Sequence, residues 1–360
     1  MVKVGGSILS SARDYVYSAS MIAKLVESNL RPTIVVSAAR NATDLILRAC
    51  DGDRRALDKL SSLYLGVAEE LGGRVVGVVE DQVLTLRRIL ENCSYRCDAK
   101  VRDYASSFGE VISKILLSST LEELGVRIMM LNALDLIVTD GVYGNASIDY
   151  DVTKLNLSKV VSYAREMGVA VVIEGFIGRG RDGAVTTLGR GGSDYTAVAI
   201  ASLLGIPEVW LVTDVPGILS IDPSISPKAK LVPSLDYREA FEASLHGVKR
   251  INPKSFEPVI LGLGRPRVFV RSWDSRGTLI SDSSVEGPKL VTVSSREPDT
   301  VLVIGRGVGG KSFVAKLLEV VDEDYVAELI VSSVSPSLRI RAREGKALEL
   351  ARVIHDELLG

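Results

Sequence analysis

Short apolar runs recur along most of this chain, most of them ending in glycine or a small polar residue and followed by a helical stretch. They include Val2-Lys-Val, Thr33-Ile-Val-Val-Ser37, Leu136-Ile-Val-Thr-Asp140, Ala170-Val-Val-Ile-Glu-Gly-Phe-Ile-Gly178, Glu208-Val-Trp-Leu-Val-Thr-Asp214 and Arg267-Val-Phe-Val-Arg271. A near-continuous apolar strand is one buried on both faces, as happens when helices cover both sides of a parallel sheet. The pattern therefore predicts an α/β fold with a mostly parallel sheet, the 170–178 run being a central strand. In such sheets ligands bind at the C-terminal ends of the strands, so the turns that follow the runs are where function is sought.

The chain has 360 residues, 46% of them hydrophobic, enough for a large core and two or more domains. Its formal net charge of −2 gives no reason to expect a nucleic-acid partner. No apolar stretch approaches the roughly 18 residues of a membrane span, and the opening Met1-Val-Lys-Val-Gly-Gly has neither the basic nor the apolar region of a leader, so none is expected. Three cysteines, Cys50, Cys93 and Cys97, argue against a disulfide framework and for a reducing, cytoplasmic setting. Cys93 and Cys97 have no histidine or further cysteine nearby in sequence to complete a metal site. With only His246 and His355 in the chain, catalysis built on imidazole is not expected.

Among the turns, Thr187-Leu-Gly-Arg-Gly-Gly-Ser-Asp194 is the densest in special residues. Its glycines let backbone amides approach a ligand, and Arg190 offers a planar fork to a carboxylate or phosphate. Ser193 and Asp194 are expected to cap an apolar helix from Tyr195, whose N-terminus would favour an anion. An ordinary capped helix after a glycine-rich turn reads the same way. Lys3 precedes the Gly5-Gly6-Ser7 turn and can reach a phosphate held by that turn's amides, or it can simply be solvated on an edge strand. The polar loop from Ser37 to Asp44 follows a strand end. Ser107-Phe-Gly-Glu110 is expected to break a helix at its glycine, with Glu110 either facing a cleft to take an ammonium group or serving as a first-turn glutamate.

A domain boundary is expected near 284–298. Beyond it the pattern predicts strand 301–304, helix 312–321, strands 326–332 and 337–343, and helix 345–359, a small α+β unit. Gly305-Arg-Gly-Val-Gly-Gly-Lys-Ser312 satisfies the phosphate-loop spacing Gly-x4-Gly-Lys-Ser, after a strand and before a helix. Too little chain follows it for a nucleotide-binding sheet, and no apolar strand ending in Asp is left to hold magnesium, so the glycine turn is read as part of a small regulatory fold.

Together, Lys3-Val-Gly-Gly-Ser7, Ser37 with Thr43-Asp44, Ser107-Phe-Gly-Glu110, Phe176-Ile-Gly178, Thr187–Asp194, Thr213-Asp214 with Asp222-Pro223, and Gly247-Val-Lys249 resemble the aspartate kinases of the amino acid kinase family, in order and in approximate spacing. The tail resembles an ACT domain. The resemblance implies a three-layer αβα catalytic domain over 1–284 and an ACT-like, ferredoxin-like unit over 285–360. It implies transfer of a phosphoryl group from ATP, with magnesium, to the side-chain carboxylate of L-aspartate. Lys3 and Lys249 would flank the phosphoryl group over a single cleft, with Asp194 holding the lysine or substrate in register. Ser37, Thr43, Glu110, Phe176, Arg190 and Ser193 would bind the amino acid. Gly5, Gly6, Ser7, Gly191, Gly192, Thr213, Asp214 and Asp222 would hold the nucleotide. The resemblance also implies pairing of subunits through the ACT-like unit, giving a homodimer or higher. Leu219, Ser224 and Asn252 stand where relatives usually have an aromatic residue, an arginine and a histidine, all on the nucleotide side. A kinase of the same fold acting on a hydroxyl amino acid such as homoserine, and a non-catalytic amino-acid-binding regulator, are the competing readings.

Overall fold

The computed structural model describes residues 1–332 and 335–360. It divides into two compact units, Met1–Asp214 and Val215–Gly360.

The first unit is built on five parallel strands. Strands β1 (Val2–Val4), β2 (Thr33–Val36), β3 (Ile128–Met130), β5 (Ala170–Glu174) and β8 (Glu208–Val212) lie in the order β3-β5-β2-β1-β8. Lys3 on β1 pairs with Val35 on one side and Leu211 on the other. β2 and β5 are buried along their whole length, as their apolar runs predict. A second, small sheet holds β4 (Val138–Thr139), β6 (Ile177–Gly180) and β7 (Val185–Thr187), with β4 parallel and β7 antiparallel to β6.

Helices α1 (Ala12–Glu27), α2 (Ala42–Cys50), α3 (Arg54–Leu71) and α4 (Val75–Asn92) gather around α5 (Ala99–Glu123), which packs on β2, β3 and β5. After the short α6 (Ala133–Leu136), helices α7 (Tyr150–Glu166) and α8 (Gly192–Leu204) pack together, α7 against β5 and α8 against β1, β2 and β8.

Four expectations change here. The 170–178 run is two strands in two sheets, because the chain turns at Gly175 and at Phe176, whose φ is +69°. At Gly175 a Cβ would lie 2.7 Å from that of Ser193. The strand expected over 136–140 shrinks to Val138–Thr139, since Asn132 caps the short helix before it. Gly109 breaks nothing, for α5 runs straight through it. A side chain there would put a Cβ 2.7 Å from the Cβ of Ala38, so the glycine is a point of close packing against the loop after β2. Finally, α8 starts at Gly192, with Gly191 at the cap position in a left-handed conformation (φ +71°). Ser193 and Asp194 lie inside the first turn rather than capping it.

In the second unit, β9 (Ser234–Asp236), β10 (Arg267–Arg271) and β11 (Thr278–Ser281) accompany α9 (Tyr237–Leu245) and α10 (Glu257–Ile260). β11 pairs antiparallel with β10 and parallel with β9. Four antiparallel strands follow, β12 (Leu290–Val293), β13 (Thr300–Ile304), β14 (Val326–Ile330) and β15 (Ser337–Ala342), in the order β12-β13-β15-β14. Helices α11 (Lys311–Val320) and α12 (Ala347–Leu358) cover this sheet through Leu317, Leu350 and Ile354. The strands and helices expected of an ACT-like unit are present within a few residues. β12 was not expected, because its Leu-Val-Thr-Val lies between two polar turns that read as a linker.

The two parts of this unit are fastened by a buried carboxylate. Glu239, fully buried on α9, accepts from Asp236 N, from Ser284 Oγ, from the Lys289 ammonium at 2.6 Å and from Arg306 N at 2.7 Å. A buried charge is tolerated only when paired and hydrogen-bonded in this way.

Candidate active site

The first unit encloses a cavity of about 560 Å3 at the C-terminal ends of β1, β2 and β5. Each wall is a turn or helix start that the sequence makes locally. The glycine turn after β1 is dictated by packing, since a Cβ on Gly5 would lie 2.7 Å from Val212 O and one on Gly6 2.2 Å from Ala38 O. With no side chains there, Lys3 reaches Asp194 in the first turn of α8, Nζ to Oδ1 2.7 Å, both partly buried. Arg190, exposed at the edge of the cavity, makes no ion pair among the described residues. The N-terminal turn of α8, Gly191 to Asp194, lines the same cavity, so the helix dipole adds to the cationic side chains there. Phe176 packs against Gly192, where a Cβ would meet its ring at 2.8 Å.

The opposite wall is acidic. Glu110, on α5, is buried and accepts from the amide of Ala38 at 3.2 Å. Its second oxygen is buried with no hydrogen-bond partner. Burial pushes its pKa up to about 8, the Ala38 amide opposing and the charge of Glu174 adding. Glu174 is itself neutralised by an ion pair with Lys114. An unpartnered carboxylate oxygen aimed into a cavity is a place for a ligand's ammonium group. Ser37, Thr43 and Ser193 also line the cavity.

Lys3, Ser37, Thr43, Glu110, Phe176, Arg190, Gly191, Gly192, Ser193 and Asp194 therefore line one cavity. Ser7, Thr213 and Asp214 meet beside the strand ends: Ser7 Oγ is 3.1 Å from Thr213 Oγ1, and the Asp214 amide donates to Ser7 Oγ at 3.3 Å. Arg40 binds Asp214 at 2.7 Å.

The remaining candidates belong to the second unit. Lys249 Nζ pairs with Asp222 Oδ2 at 2.7 Å, and both line a cavity of about 320 Å3 with Gly217, Leu219 and Arg250. The Lys249 hydrogen bond, with the Ser224 amide, holds the Asp222 carboxyl down at about 2. Ser224 Oγ also donates to Asp222, at 2.9 Å. Asn252 caps a short 3-10 helix by accepting from Lys254 N.

One residue of the first cavity escaped the sequence reading. Asp103, on α5, is buried and raised in pKa by that burial, yet it accepts three hydrogen bonds. They come from Gly144 N and Thr187 N, both at 2.8 Å, and from Thr187 Oγ1 at 2.9 Å. It staples the loop after β4 and the start of the glycine-rich loop to α5. Its seven-residue spacing from Glu110 puts both on one face of the helix, the one signal by which it could have been found.

The profile of the amino acid kinase family matches residues 1–272. The chain is 31% identical to chloroplastic aspartokinase 2 of Arabidopsis thaliana, over 94% of this chain and 65% of that one. It is 28% identical to the lysine-sensitive aspartokinase 3 of Escherichia coli, over 84% of this chain and 68% of that one. The chain thus spans about two thirds of the length of these curated relatives. Its fold is that of E. coli aspartokinase III solved with aspartate and ADP, with a TM-score of 0.86, 21% identity, and coverage of 100% of this chain and 99% of that one.

Proposed function

The chain belongs to the amino acid kinase family, and we propose that it transfers the γ-phosphoryl group of ATP to the side-chain carboxylate of L-aspartate, giving 4-phospho-L-aspartate. The observation that carries this reading is the single cavity where a buried, half-satisfied Glu110 stands with Arg190, Lys3 and Asp194. A dicarboxylic amino acid needs an anionic partner for its ammonium group and cationic partners for its carboxylates. Glu110 serves the first, and Arg190 serves the α-carboxylate. Ser37, Thr43, Phe176 and Ser193 shape the pocket around them.

Phosphoryl transfer asks for positioning and charge neutralisation more than for covalent chemistry. Lys3, held by Asp194, supplies a fixed ammonium for charge developing on the phosphoryl oxygens. The attacking carboxylate is already ionised at neutral pH, so no general base is required. The amides of Gly5, Gly6, Gly191 and Gly192 and the hydroxyl of Ser7 bind phosphate oxygens. Thr213, Asp214, Asp222 and Lys249 serve the nucleotide side. Magnesium, a hard cation that keeps several waters, would be held mainly by the phosphate oxygens of ATP and by water, and would neutralise phosphate charge.

We assign 1–284 to catalysis and 285–360 to an ACT-like unit that pairs subunits into a homodimer, in a cytoplasmic enzyme. The direct test is hydroxylamine trapping of the acyl phosphate with ATP, magnesium and aspartate. Hydroxamate formed with aspartate supports the reading. ADP release with homoserine and none with aspartate would move the assignment to a hydroxyl acceptor. Amino acid binding without turnover would make the protein a regulator.

A further inference from the structure

The three cysteines, scattered in sequence, meet in space. Helix α4 ends at Asn92, and the next turn is made by two successive non-glycine residues in the left-handed region, Ser94 (φ +52°) and Tyr95 (φ +56°). That conformation is costly for a side-chain-bearing residue and persists only where surrounding contacts hold it. Here they do. The Tyr95 amide donates to Leu90 O at 2.8 Å, the Tyr95 side chain is buried, and the Arg54 guanidinium lies 4.8 Å from its ring centre. The turn folds the chain back so that the Sγ atoms of Cys93 and Cys97 are 2.7 Å apart. The Cys97 amide donates to the carbonyl of Cys50 at 3.2 Å, and the Cys50 thiol sits against that of Cys97. Cys50 is buried, whereas Cys93 and Cys97 are half-buried and open to a small reagent.

We propose that Cys93 and Cys97 form a reversible dithiol–disulfide site, closed by exchange with a small-molecule disulfide. The thiolate of Cys93 attacks the reagent's sulfur and expels one equivalent of its thiol, leaving a mixed disulfide. The thiolate of Cys97 then attacks the Cys93 sulfur and expels the second equivalent. Two protein thiols are oxidised, one external disulfide is reduced, and the two protons go to solvent or to the departing thiols. Burial raises the Cys97 thiol, so closure is slow at neutral pH and quickens as pH rises.

The position gives the bond a purpose. Cys97 stands two residues before α5, which carries Arg102, Asp103, Ser106 and Glu110 into the cavity, and Cys50 ends α2, which carries Thr43 and Leu47. Closing the 93–97 turn ties the end of α4 to the start of α5 and fixes Cys97 where its amide meets the end of α2.

The test uses the whole wild-type protein, treated with excess oxidised glutathione and digested with trypsin under non-reducing conditions. Arg96 lies between the two cysteines, so cleavage after it separates them, and a disulfide appears as peptide 89–96 linked to peptide 97–100. We expect that linked pair, its loss on treatment with dithiothreitol, one remaining free thiol, and a melting midpoint a few degrees above that of the reduced protein. Cys50→Ser should keep the link and Cys93→Ser should abolish it. Three free thiols after oxidation, a lasting glutathione adduct without closure, or a link from Cys97 to peptide 49–54 in place of Cys93 would each overturn the proposal.

Discussion

Glu110 accepts from the amide of Ala38 at 3.2 Å through one carboxylate oxygen and keeps the other buried without a partner. Its pKa near 8 means that at neutral pH the ligand-free carboxyl is mostly protonated. The folded state then binds more protons than the unfolded one between the ordinary value of 4.5 and about 8. This group's contribution to stability is therefore complete below 4.5 and is lost as pH rises towards 8. Glu110→Gln should flatten that loss and raise stability at pH 9, by an amount on the order of a few kcal/mol. Thermal melts across pH check it. Binding of an ammonium ligand should ionise Glu110 and release a proton near pH 7, seen by calorimetry as a binding enthalpy that changes with the buffer. The same substitution should abolish amino acid binding and the proton release with it.

The ion pair between Lys3 and Asp194 places an ammonium group at the head of β1. Lys3→Met should lower kcat by about 10²–10³-fold, the cost of removing one electrostatic stabiliser. KM for the amino acid should change little, because Glu110 and Arg190 remain. A large rise in that KM with kcat intact would assign Lys3 to substrate binding instead.

Asp103 touches two loops through three accepted hydrogen bonds. In Asp103→Ala all three donors lose their acceptor, and a buried donor left without a partner costs about 1–3 kcal/mol. Since the stapled loops bear Gly144 and the approach to Arg190, KM for the amino acid should rise about tenfold, for roughly 1.4 kcal/mol. KM for ATP should hold. Equal changes in both would reduce Asp103 to a general stabiliser of the fold.

The phosphate-loop look-alike at Gly305–Ser312 spends its amides internally. Gly305 N donates to Pro336 O, Arg306 N to the Glu239 carboxylate and Gly310 N to Gly307 O. A carboxylate already seated on such a loop opposes a phosphate at the same place. Lys311→Ala should leave kcat within about twofold of wild type, since a surface substitution away from such contacts is nearly neutral. Loss of nucleotide binding on that change would reinstate the motif.

Local signals carried much of this reading. The apolar runs at Thr33–Val36 and Ala170–Glu174 announce doubly buried parallel strands because burial on both faces leaves no polar alternation. The glycines at 5, 6 and 192 announce a backbone approached closely, and the structure shows what approaches each. The helices expected over 312–321 and 345–359 appear as α11 and α12 on the four-stranded antiparallel sheet. Gly109 shows the limit: from sequence it looks like a break, and only the proximity of Ala38 reveals a glycine required inside an unbroken helix.

The sequence by itself determined the kinds of element, the turns that carry chemistry, and the residue types available to an anionic or cationic ligand. Those follow from periodicity and backbone stereochemistry, which act over a few residues. Only the tertiary structure decided that Asp103 spans to Gly144 and Thr187, that Glu110 keeps an unpaired oxygen, and that Cys97 returns to Cys93 beside Cys50. Burial, hydrogen-bond satisfaction and pKa depend on which distant segments are packed together, and no short stretch of sequence records that.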